Sequence, residues 1–177
     1  MLAGLAAWIG ASVIVLADGR RALAAGLATV TVGLAGVAWR DGDGLAAVVI
    51  LLGGGVAAFL RQRAGPPGWM LMPAGSTPRL ILCVAGALVA LWFAASITVG
   101  PEGAARFAVL CVAGLAAARI LSTRAAPTIA TALATLVLAM AVATHFAGDS
   151  PGMAPYLVAA LLAAAVMFLP VPAASAS

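Results

Sequence analysis

The run LAAVVILLGGGVAAFL, residues 45–60, carries no charge, and runs like it recur along most of the chain. Crossing the hydrocarbon of a bilayer takes about 20 apolar residues, with a range of roughly 17–25. Candidate spans fall at 1–17, 22–39, 45–60, 80–99, 104–121, 126–146 and 154–171. A soluble chain of 177 residues could not bury so many. Only 8% of its residues are charged, against about 25% in soluble domains. No water reaches backbone groups inside a bilayer, so each span must pair its own N–H and C=O groups as an α-helix. The expected fold class is all-α integral membrane, with about seven transmembrane helices in one multi-pass domain over 1–177 and no soluble domain. The opening MLAGLAAWIGASVIVLA has no positive residue ahead of its apolar run, which reads as a retained span rather than a cleaved signal peptide.

The arginines set the orientation. All nine positive charges are Arg. Arg20, Arg21, Arg61, Arg63, Arg79, Arg119 and Arg124 fall on one side of the alternating topology, and only Arg40 and Arg106 on the other. The positive-inside tendency then predicts the N-terminus out and the C-terminus in, and Arg without any Lys in an Ala-rich chain suggests a GC-rich bacterial genome and so a bacterial inner membrane. Nucleic-acid binding does not fit charges scattered singly and in pairs. Arg20, Arg21, Arg61 and Arg63 are expected to face anionic lipid headgroups.

Span 104–121 is the weakest. Its uncharged part, Phe107 to Ala118, covers about 18 Å at 1.5 Å per residue, against a core of about 30 Å. To cross, the helix must carry Arg106 and Arg119 into or near the hydrocarbon. Both are expected to snorkel outward, with Glu102 as an i,i+4 partner of Arg106. The sharper reading makes each a contact for an anionic lipid headgroup or for another subunit.

Between the third and fourth spans lies RQRAGPPGWMLMPAGSTPR, residues 61–79. Prolines 66, 67, 73 and 78 forbid a regular helix through it, so it reads as a cytoplasmic Pro/Gly-rich loop. At its centre, Trp69, Met70, Leu71 and Met72 form a short apolar patch. The simpler reading makes it an interfacial anchor. The sharper one makes it a docking surface, since Trp and Met are favoured at interfaces and Met adapts its shape.

Little else carries chemistry. Without Lys there is no retinal Schiff base and no P-loop lysine. One histidine, His145, cannot supply a His pair for haem or a metal cluster, and it reads as an interfacial polar cap. Cys83 and Cys111 are expected near opposite faces, too far apart to bridge. The acids Asp18, Asp41, Asp43, Glu102 and Asp149 all sit at loops or span ends, and a self-contained proton or sodium path would want a carboxylate in mid-membrane. No catalytic, cofactor-binding or metal-ligating residues are expected.

Two features suit packing or a polar path. Thr128, Thr131 and Thr135 share one face of the sixth helix. Their hydroxyls can bond their own i−4 carbonyls, join a neighbouring helix or line a solute path. Gly53/Ala57, Gly54/Ala58 and Gly86/Ala90 are small-xxx-small pairs that permit close helix approach. The expected function is therefore a non-catalytic subunit of a larger membrane protein complex, with other membrane subunits and anionic lipid as partners. A respiratory assembly is one context, and no motif selects it. The alternative is a small oligomeric transporter or channel for a neutral or weakly polar solute.

Overall fold

The computed structural model describes residues 2–64, 67–97, 103–147 and 152–168. The helices are α1 (Leu2–Leu16), α2 (Arg20–Arg40), α3 (Gly44–Arg63), α4 (Thr77–Ile97), α5 (Gly103–Ser122), α6 (Ala126–Ala143) and α7 (Ala154–Ala165). Short 3₁₀ turns extend α6 over Thr144–Ala147 and α7 over Val166–Phe168. Five of these helices, α2 to α6, are long and apolar enough to cross a membrane. The protein is an all-α, multi-pass membrane protein.

The doubtful fifth span is a helix of 20 residues that runs past both of its arginines. At 1.5 Å per residue it reaches about 30 Å, the thickness of the hydrocarbon. Helices α1 and α7 are shorter, with 15 and 12 residues. On α1, Ala7, Ala11, Ile14, Val15 and Leu16 are buried against other helices.

Six helices close a ring in the order α1, α2, α3, α7, α6, α5, each packed on the next, and α2 also reaches across to α6. Helix α4 stands outside that ring, against α5 and, more lightly, α1. Trp8 Nε1 on α1 donates to the Cys83 carbonyl of α4 at 3.3 Å. Of the side chains described on α4, only Cys83, Ala90 and Ala94 are buried.

Small residues set the spacing inside the ring. A Cβ on Gly10 would lie 2.5 Å from the Val30 nitrogen of α2, and one on Gly33 would lie 2.4 Å from the Ala7 nitrogen of α1. The α1–α2 crossing is thus closer than any side chain at those positions allows. A Cβ on Gly53 would strike Ala160 of α7 at 2.4 Å, and one on Gly54 would strike Thr31 Oγ1 at 2.2 Å. The faces of α3 that carry Gly53 and Gly54 therefore serve internal packing on two sides. In Gly86/Ala90 the glycine makes only ordinary contact, with Leu115 at 3.5 Å.

The turn RDGDG between α2 and α3 works as its residues suggest. Gly42 takes φ +89° and its N–H bonds the Trp39 carbonyl, closing α2. The Asp43 side chain accepts from the Ala46 N–H at 3.0 Å, capping α3. Cys83 and Cys111 are free and buried. They lie on the packed helices α4 and α5. The contact of Gly86 with Leu115 puts Cys111 nearly level with Ala90, so the two thiols differ by about two helical turns in height, about 10 Å.

Candidate functional site at the arginine-rich end

The polar interactions between helices gather where α1 ends, α2 begins, α3 ends, α4 begins and α5 ends. Asp18, in the turn from α1 to α2, is their hub. Arg119 Nη2, from the last turn of α5, donates to Asp18 Oδ1 and to the Ala17 carbonyl, the latter at 3.0 Å. Arg79 Nη1, from the first turn of α4, donates to Asp18 Oδ2 at 3.1 Å. One carboxylate thus ties α1 to both α4 and α5. Arg119 is 0% exposed, and its Nε and Nη1 find no acceptor among the described residues.

This overturns the expectation that Arg119 snorkels toward headgroups. The helix turns it toward α1, where a carboxylate and a helix-end carbonyl meet it, and no lipid reaches it. Arg61 departs from expectation in the same way. It is 2% exposed, and its Nη1 donates to the Pro127 carbonyl at 2.8 Å. That contact pins the end of α3 to the start of α6. Arg63 keeps to the exposed surface, its guanidinium 4.4 Å from the Phe59 ring centre. Arg20 and Arg21 stay at least partly exposed.

The loop before α4 folds back onto this end. Ala17 and Leu71 form an antiparallel bridge. Met72 N–H donates to the Leu16 carbonyl at 3.0 Å, Asp18 N–H to the Met70 carbonyl at 3.1 Å, and Arg21 N–H to the Gly68 carbonyl at 3.2 Å. Helix ends leave carbonyls and N–H groups without partners. Here the loop backbone supplies them for the end of α1 and the start of α2, where Gly19 offers no side-chain cap. Glycine is needed at 19, because a Cβ there would lie 2.5 Å from the Gly68 oxygen.

The side chains of the tetrad point away. Trp69, Met70, Leu71 and Met72 are 45–55% exposed. Met70 and Met72 hold φ at +32° and +52°, a left-handed conformation that costs an L-residue about 1–2 kcal/mol. Sequence reasoning saw an apolar patch in a polar loop. It missed the bridge to Leu16–Asp18, which pairs segments far apart in the chain and leaves no local signal.

The threonine face is internal. Thr128, Thr131 and Thr135 are 1% exposed or less. Thr131 Oγ1 donates to the Pro127 carbonyl and Thr135 Oγ1 to the Thr131 carbonyl, both at 2.8 Å. This is the i−4 pattern, which turns the hydroxyls onto their own helix.

At the opposite end, Arg106 lies 5.6 Å from the Phe146 ring centre, and His145 meets Phe146 edge-on. Glu102 and Asp149 lie outside the described residues. No group of three or more His, Cys, Asp or Glu side chains that could hold a metal ion occurs among the described residues.

No known protein family, curated protein or solved structure matches the chain.

Proposed function

We propose that the chain is a non-catalytic, multi-pass subunit of a larger protein complex in the bacterial inner membrane, docked through the Trp69–Met72 loop. The observation that carries this reading is the way the tetrad is held. Its backbone is bonded to two helix ends, and two of its residues bear a left-handed conformation, yet all four apolar side chains face outward. A lipid anchor needs only depth, and a flexible loop would find it. A surface held in one shape suits a partner whose own surface is fixed. Trp and Met are the side chains enriched at such contacts. The exposed outer face of α4, which starts a few residues beyond the tetrad, extends the surface into the bilayer.

The test is the mass of the native complex extracted in mild detergent. A complex heavier than any homo-oligomer of this chain, containing other chains, is expected. Trp69→Ala with Met70→Ala and Met72→Ala should release those chains while the protein stays folded and inserted. A homogeneous species of this chain alone would end the subunit reading. Unchanged association in the triple variant would assign the tetrad to lipid.

A further inference from the structure

The Trp69–Met72 loop lies among positive charges that have no counter-ion. Its backbone crosses the end of the α1–α2 hairpin, where a Cβ on Gly19 would lie 2.7 Å from the Trp69 carbonyl carbon. The next residues, Arg20 and Arg21, open α2. Arg21 is exposed, and its backbone N–H bonds the Gly68 carbonyl, one residue before Trp69. On the other flank, Arg79 reaches Asp18, whose own N–H bonds the Met70 carbonyl. Three arginines therefore flank the four apolar side chains. Arg20 and Arg21 form no ion pair among the described residues. Asp18 is the one acid at this end among the described residues. Arg79 and Arg119 already share it, so even the hub keeps an excess positive charge.

We propose that the surface docking on this loop is acidic: an apolar pocket of another protein chain, edged by Asp and Glu side chains. This rests on the subunit reading and adds the chemistry of the partner. Protein contacts combine an apolar centre with a polar rim. Opposite charges across that rim steer the encounter and exclude wrong partners, whereas like charges placed together repel. A guanidinium meets a carboxylate with two parallel N–H···O bonds, which also fixes direction. Headgroups in a fluid leaflet rearrange around any pattern of charge, so they give no reason to hold apolar side chains in one shape beside the arginines. A partner with carboxylates in fixed places does give one.

The experiment uses the full chain in its native membrane, carrying the photo-crosslinking substitution Trp69→benzoylphenylalanine. The captured peptide is read by mass spectrometry after illumination. It should come from another chain and hold several Asp or Glu beside apolar residues. Arg21→Glu should lower the crosslinking yield about tenfold, since like charges then face each other across the rim. Arg21→Lys should keep most of it. Glutamate at the second residue of α2 suits the positive end of that helix, so the Arg21→Glu protein should fold and insert. Arg40→Glu, at the opposite end, should leave the yield unchanged. In detergent, raising salt from about 0.1 M to about 1 M cuts the screening length from about 10 Å to about 3 Å and should release the partner. A captured peptide without acidic residues, a yield unmoved by Arg21→Glu, or a complex indifferent to salt would each overturn the acidic partner while the subunit reading stands. Capture of lipid alone, or of this chain alone, would overturn both. Should Arg21→Glu fail to insert, the captured peptide and the salt response of the wild-type complex decide.

Discussion

Asp18 joins three helices through one carboxylate, and its two arginines are not equivalent. Arg119 is wholly enclosed, whereas the Arg79 side chain is about a third exposed. Removing one partner of a buried pair leaves an uncompensated charge, at a cost of about 3–5 kcal/mol. Asp18→Ala should therefore lower the stability of the detergent-solubilised protein by about that much, and Arg79→Ala by less than about 1 kcal/mol. Combining Asp18→Ala with Arg119→Met should recover most of the loss, since no charge is then stranded. Thermal unfolding of the three variants beside the wild type decides the matter. If Asp18→Ala costs no more than Arg79→Ala, the enclosed ion pair does not hold the helices together. In the sequence, Asp18 looks like a turn residue and Arg119 like the end of a span. Their pairing depends on which way α5 faces, and an apolar helix carries no periodic signal of its facing.

At the scale of elements, glycine placement decides which helices touch. Gly33→Leu should drive α1 from α2, because its Cβ would already overlap the Ala7 backbone. Overpacking of this kind costs about 1–3 kcal/mol. Gly55→Leu, one helix later, should be tolerated, because a Cβ there meets nothing within 4 Å. The contrast is measured by the melting temperatures of the two variants. Helix α6 supplies a second test. Cysteines at 131 and 135 should resist a water-soluble maleimide in intact membranes, since both positions are buried and their hydroxyls bond helix carbonyls. Ready labelling at either position would instead favour a solute path and the transporter reading.

The whole molecule is a ring of six helices with α4 mounted outside, and its ends differ sharply in charge. Seven of nine arginines belong to one end, and burial of Arg61 and Arg119 does not alter which end that is. On the orientation we propose from the positive-inside tendency, that end faces the cytoplasm. Gly42→Cys, in the exposed turn at the opposite end, should be labelled on intact spheroplasts by an impermeant reagent. Arg124→Cys should be labelled only after permeabilisation. The reverse pattern would invert the topology and move the tetrad to the periplasmic face. The native Cys83 and Cys111 are buried and add little background.

From its own residues the chain determined its class and its helices. Apolar runs of spanning length, broken by Gly, Pro, Asp and Arg, leave no other way to pair the backbone in a bilayer. The turn glycine at 42 and the Asp43 cap are local, and local chemistry is legible. Only the tertiary structure decided which side of each helix faces protein. It turned Arg61 and Arg119 inward, buried the threonine face, packed the Gly53 and Gly54 faces of α3 on α7 and α2, and left α4 outside the ring. It also brought residues 68–72 onto residues 16–21, so that a loop with four outward apolar side chains caps two helix ends. These outcomes rest on contacts between segments distant in the chain, among helices apolar on every side. In such helices hydrophobic patterning cannot choose a partner, and steric fit between small residues chooses it instead.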